Sequence, residues 1–107
     1  MGLGAFGAHA LKTRLSADML DVWQTAFQYH AWHALGLLAV GLSLENLWSR
    51  AAGWLLLAGI VLFSGSLYAL ALGAPKGLGI VTPVGGLAFI LGWLAFALGV
   101  IYARTPA

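Results

Sequence analysis

Apolar residues run along this chain in four stretches separated by short polar breaks. The first stretch, "MGLGAFGAHAL" at 1–11, stops at Lys12 and Arg14. The break that follows contains Ser16, suited to an N-cap, then Asp18 and Asp21, whose carboxylates favour the positive end of a helix dipole. A second helix is predicted from there over 17–44. Its first turns place Asp21, Gln24, Thr25 and Gln28 toward an interface, and the rest is apolar. "SLENLWSR" breaks the pattern again, with Glu45, Asn46 and Arg50 beside Trp48, a residue type that anchors helices at membrane surfaces. A third helix is predicted over 51–73 and ends at "GAPKGLG", where glycine and Pro75 stop it. Thr82 reads as an N-cap with Pro83 at the first helical position, opening a fourth helix over 83–103 with Arg104 just beyond.

Each of the three long segments exceeds the roughly 20 residues needed to cross a hydrocarbon core. The first stretch, at a rise of about 1.5 Å per residue, reaches only about half that thickness. It reads as the end of a helix. It does not read as a secretory signal, because its positive charges follow the apolar run instead of preceding it.

Composition turns these segments into membrane spans. Of 107 residues, 62% are hydrophobic and 7% charged, and the mean hydropathy is +0.94. Soluble domains carry about 25% charged residues, so lipid is the solvent this surface suits. The net charge of +2 is scattered, with no basic run or aromatic–basic groove for nucleic acid. The absence of cysteine removes disulfides, thiolate metal sites and thiol nucleophiles. Lys12, Arg14 and Lys76 fall on one side of the membrane and Arg50 and Arg104 on the other, a balance that fixes no orientation.

Small residues recur at a spacing of seven in the last two segments: Ala52, Gly59, Ser66 and Gly73, then Gly85, Gly92 and Gly99. That spacing returns to nearly one helix face, drifting about 20° per step. Small side chains let backbones approach, which is how helices associate in lipid. The short link makes the two helices antiparallel neighbours, and the stripes are expected to face each other; an oligomer contact is the alternative.

Five motifs then occur in order: "GAFGAHALK" at 4–12, "YHAWHALGLL" at 29–38, "LFSGSLYALAL" at 62–72, "TPVGG" at 82–86 and "GW" at 92–93. Together they resemble the YgdD/YwdK-type family of small integral membrane proteins of unknown function, whose animal relatives are small mitochondrial membrane proteins. The resemblance implies a multi-pass bacterial inner-membrane protein of four transmembrane helices and implies no activity. It also implies that "GAFGAHAL" closes a full first helix. The expectation is therefore an all-α integral membrane helix bundle, a single domain over 1–107, with three full spans plus the C-terminal end of the first. Basic residues common in the family at the corresponding places favour Arg50 and Arg104 on the cytoplasmic side.

Candidate chemistry centres on Tyr29, His30 and His33, which share one side of the second helix with Val22 and Ala26. His9, across a short loop, can approach the same side; His9 and His33 match family motif positions. Ionisable groups at membrane depth are costly and call for a role. One reading makes His9 and His33 ligands for haem or a metal, though the spans hold no carboxylate to complete a metal site. A second has the Tyr–His side lining a pocket for a lipid, a quinone or a small solute. The third, preferred, has neutral histidines hydrogen-bonding across helices to Ser64, Ser66, Tyr68 or backbone carbonyls. Ser64 and Ser66 read as bonding back to their own helix, and "TPVGG" as a tight loop before close packing. Asp18, Asp21 and Glu45 sit near helix ends, and no nucleophile–base–orienter set, P-loop or dinucleotide fingerprint is present. No resident cofactor is expected. These features predict a non-catalytic protein: an accessory or assembly subunit, or a self-associating scaffold, in the lipid bilayer as a homo-oligomer or part of a complex. A carrier for a solute, quinone or lipid is the alternative, and a haem or metal protein the third.

Overall fold

The computed structural model describes residues 1–104. They form an all-helical bundle: α1 (Gly2–His9), α2 (Ala17–Leu42), α3 (Leu47–Gly59), a π-helical turn (Ile60–Ser64), α4 (Gly65–Ala71), a 3-10 turn (Lys76–Ile80) and α5 (Val81–Arg104). α3, the π turn and α4 make one continuous rod.

Local chemistry sets the ends. Ser16 Oγ accepts from Met19 N–H at 3.2 Å and caps α2. α2 ends at Leu42, two residues before the expected limit, where the Ser43 hydroxyl donates to Val40 O at 2.6 Å. α3 starts at Leu47, earlier than predicted, because Asn46 and Ser49 form a reciprocal cap. Ser49 N–H donates to Asn46 Oδ1 at 3.0 Å, and Asn46 N–H to Ser49 Oγ at 2.9 Å.

α4 ends in a Schellman motif. Gly73 N–H donates to Leu70 O and Ala74 N–H to Ala69 O. Gly73 carries the φ of +105° that this motif requires. It therefore stands outside the helix, with open space where a Cβ would sit, and is no member of a packing face. Thr82 and Pro83 also differ from expectation. The 3-10 turn feeds directly into a helix that begins at Val81, so Thr82 lies inside it and does not cap it. The Thr82 hydroxyl hydrogen-bonds Ser66 Oγ instead. Pro83 still falls in the first turn, where a missing N–H costs no intrahelical bond.

The longest packed seam joins the α3–α4 rod to α5, antiparallel. A Cβ at Gly85 would run into the backbone of Leu62 and Phe63. One at Gly92 would lie 2.8 Å from Leu56 Cδ2, and one at Gly99 3.1 Å from Ser49 N. Phe63, Leu56 and Ser49 are themselves spaced by seven, so the glycine row of α5 seats one row of the rod. In the other direction, Gly59 receives the Phe89 ring and Ser66 meets Thr82, while Ala52 is fully buried. The two rows are staggered: Gly59, Gly85 and Gly92 oppose Phe89, Phe63 and Leu56, and no glycine of one row meets a glycine of the other. Asn46 Nδ2 donates to Gly99 O at 3.0 Å and Trp48 stacks on Tyr102, closing the far end.

α2 lies across this pair, with Gly36 against Trp93 and Leu56. α1 packs antiparallel on the start of α2, Gly4 under Phe27 and Gly7 under Trp23, whose Nε1–H donates to Leu3 O at 2.9 Å. Leu11, Trp23 and Ala71 bury together where the α1–α2 and α4–α5 connections meet. Elsewhere large apolar side chains face outward: Leu35, Trp54, Val61, Ile90 and Leu94 are all more than half exposed. Two helical rods, Leu47–Ala71 and Lys76–Ala103, are long and apolar enough to cross a membrane. α2, at 26 residues, has the length. It falls short of their apolarity because Gln28, His30 and His33 interrupt it.

Candidate functional site

The side chains that interrupt α2 are where the bundle holds its buried polar chemistry. Tyr29, His30 and His33 sit at i, i+1 and i+4 and turn toward the rod and α5. His33 is 5% exposed, its ring stacked on Phe89 with centroids 3.6 Å apart. Trp93 Nε1–H donates to His33 Nε2 at 3.0 Å. An indole N–H can only donate, so Nε2 carries the acceptor lone pair and the proton resides on Nδ1. Nδ1–H donates in turn to Tyr29 O at 2.7 Å. Both ring nitrogens are thus engaged, and the tautomer is fixed by one bond within α2 and one to α5. His30 reaches the other neighbour: its Nδ1 lies 3.1 Å from Tyr68 Oη on α4, and Tyr68 packs edge-on against Trp23.

Beside His33 the three helices leave a groove of about 630 Å³, lined by Tyr29, His33, Phe63, Gly86, Phe89 and Trp93 among others. It opens outward between residues of α5 that are themselves exposed, Leu87 and Ile90. Its walls are aromatic. Tyr29 meets Phe63 at 4.6 Å between centroids and lies nearly parallel to Phe89, which contacts Phe63 at 5.5 Å. Phe63 belongs to the π turn, a conformation that recurs at functional sites. The next residue, Ser64, is fully buried, and its hydroxyl has no hydrogen-bond partner among the described residues.

The candidates from the sequence separate into two groups. Tyr29, His30 and His33 do converge. Of the partners expected for the histidines, Tyr68 and a backbone carbonyl are found, whereas Ser66 bonds Thr82 and neither serine meets a histidine. His9 does not join them. It is exposed at the end of α1, which pairs antiparallel with α2 from Phe27 back toward Trp23, leaving His9 several turns from His33. A haem or metal held between His9 and His33 therefore lacks its geometry, and His33 has no free nitrogen to offer. Among the described residues no three metal-binding side chains cluster. Ser66 bonds back to Phe63 O, as expected, but also to Thr82, while Ser64 has no partner at all. Sequence reasoning missed Phe63, Phe89 and Trp93. The signal was the aromatic residue in "LFSGS" and in "GW", each seated beside a glycine that opens space for it.

Residues 3–86 match the family described as "Protein of unknown function (DUF423)". A UPF0382 membrane protein of Staphylococcus saprophyticus is 50% identical over 104 residues, covering 92% of this chain and 84% of the relative. The UPF0382 membrane protein YwdK of Bacillus subtilis is 47% identical over 105 residues, covering 94% of this chain and 85% of the relative. No solved structure matches the chain.

Proposed function

The chain belongs to the DUF423 family of membrane proteins of unknown function, and from that membership we propose that it is a multi-pass protein of the bacterial inner membrane that acts by binding, without catalysis. In this reading it is an accessory or assembly subunit, or a self-associating scaffold. One observation carries it: the histidines at membrane depth are engaged in packing contacts, His33 through both ring nitrogens with Trp93 and Tyr29 O and His30 through Nδ1 with Tyr68. The glycine rows are filled by the protomer's own helices, so a partner or second copy would meet the outward apolar side chains of the rod and α5. Native mass spectrometry after gentle extraction from the protein's own membrane tests this. A defined complex or homo-oligomer is expected; a bare monomer under every mild extraction would overturn it.

The groove favours a second reading, a binding protein or carrier for a small solute, quinone or lipid. A carrier in which His33 takes part predicts pH-dependent flux in proteoliposomes that His33→Ala abolishes. Unchanged flux in that variant would exclude His33 from transport, and no flux in the wild type would leave binding without transport.

A further inference from the structure

We infer that the groove between α2, the π turn and α5 is a binding site for a quinone, the neutral ring entering sideways from the bilayer and taking a hydrogen bond from Tyr29. The inference rests on the second reading above, that the groove holds a small molecule.

The depth of the groove comes first. In the seam of the rod with α5, Phe89 seats on Gly59 and Gly92 on Leu56. Those residues lie near the midpoints of Leu47–Ala71 and Lys76–Ala103, so Phe89, Trp93 and His33 stand near the middle of the spans. The groove opens there through exposed Leu87 and Ile90, a path that leads into hydrocarbon. Its volume of about 630 Å³ suits a ring with the start of a tail.

The wall chemistry selects the ligand. No Asp, Glu, Lys or Arg lines the groove. A phosphate headgroup would enter with its charge unpaired, which is prohibitive at this depth. Tyr29, Phe63 and Phe89 line the groove, and although His33 covers one face of Phe89, the three rings suit a planar ring, which gains from offset or edge contact with them. An acyl chain would use the space but not the geometry.

Polar inventory narrows it further. Trp93 Nε1–H is already donating to His33, and both His33 nitrogens are engaged. Tyr29 offers its backbone carbonyl to His33, but its hydroxyl has no partner among the described residues and is not sealed in. Tyr29 lines the groove, and a phenol without a partner beside apolar walls asks for an acceptor. A quinone carbonyl supplies one without charge. Only binding is inferred, with no electron transfer.

Titrating the full chain in lipid nanodiscs with a ubiquinone bearing one isoprenoid unit tests this through quenching of tryptophan emission, since Trp93 lines the site. Saturable one-site quenching is expected, with its amplitude reduced in Trp93→Phe and the remainder reported by Trp32, which packs on Tyr29. Tyr29→Phe keeps the ring stack and should weaken binding about fivefold, as for one lost hydrogen bond. Gly86→Leu should fill the groove and abolish saturation while the far-UV circular dichroism is unchanged. Linear quenching that is the same in the wild type and Gly86→Leu would overturn both the groove and the quinone. Protection of Trp93 by phosphatidylcholine, lost in Gly86→Leu and not displaced by the quinone, would overturn the quinone and leave the groove as a lipid site. If Tyr29→Phe binds as tightly as the wild type, the assigned hydrogen bond is wrong.

Discussion

Adding a single methyl group at Gly85 and at its neighbour Gly86 separates backbone contact from helix propensity. A Cβ at Gly85 would lie 2.8 Å from the carbonyl carbon of Leu62 and closer still to Phe63 N. At Gly86 the nearest atom is Phe63 Cδ2, at an ordinary 3.8 Å. Gly→Ala inside a helix gains about 1 kcal/mol from propensity at either position, so that contribution cancels between the two variants. What remains is the clash. Backbone cannot rotate away as a side chain does, so α5 must back off by roughly 1 Å, a gap that forfeits a quarter to a half of each local dispersion contact. Overpacking of this kind costs about 1–3 kcal/mol. In lipid no hydrophobic drive compensates, because packing itself holds the helices together. Gly85→Ala should therefore be about 2 kcal/mol less stable than Gly86→Ala. Reversible unfolding by dodecyl sulfate in mixed micelles, followed by far-UV circular dichroism, measures the difference. Values within about 0.5 kcal/mol of each other, the usual scatter of neutral substitutions, would refute the seam.

Gly92→Leu places a branched side chain where even a Cβ meets Leu56 at 2.8 Å and should disrupt the bundle; unchanged stability and oligomer size would sink the glycine-row argument. Ser64→Ala removes a buried hydroxyl that has no partner among the described residues, and should be neutral or stabilising by up to about 1 kcal/mol in the same unfolding assay. A clear loss would mean that the hydroxyl is bonded in the membrane. A double-mutant cycle with His30→Phe and Tyr68→Phe should return a coupling of about 1 kcal/mol; additive effects would count against that hydrogen bond. Asn46→Ala loses both the α3 cap and the bond to Gly99 O, and should cost about 1–2 kcal/mol by the same unfolding measurement.

The helices were legible because their signals are local: apolar length, the Ser16 cap, and the glycine-proline break after Leu72. The differences arise where two signals overlapped. Asn46 and Ser49 form a cap with serine where the usual partner is Glu or Gln, so the start of α3 was hidden behind the charges of Glu45 and Arg50. Gly73 keeps the spacing of seven but serves the turn, since a φ of +105° is open to glycine and strained for other residues. Thr82–Pro83 is good N-cap chemistry, but the 3-10 turn supplied helical geometry one step earlier and freed Thr82 for Ser66. At the site, Tyr29, His30 and His33 could be placed on one face from their spacing. Their partners could be named only in part, Tyr68 among them. Trp93 lies sixty positions from His33, and nothing local in the chain records that distance. The π turn left no mark either, because one added residue within "IVLFS" changes no polar position.

The cross-helix hydrogen bonds have a distribution that accounts for the polar residues in this apolar chain. His30–Tyr68 ties α2 to α4, Trp93–His33 ties α5 to α2, Ser66–Thr82 ties α4 to α5, and Asn46–Gly99 O ties the start of α3 to the end of α5. Each joins a different pair of elements. In lipid a slipped or rotated helix loses little apolar burial, so packing alone discriminates weakly between arrangements. A misplaced donor at the same depth stays unpaired, and that cost selects one register. The histidines thus perform the specifying work that a buried apolar core performs in water. Two hydroxyls near the groove stand apart from this network, those of Ser64 and Tyr29. Only the Tyr29 hydroxyl is not sealed in, and only it can answer to a ligand from outside. On the proposed reading, the outward surface and the groove carry function in this bundle, while the histidines hold both in shape.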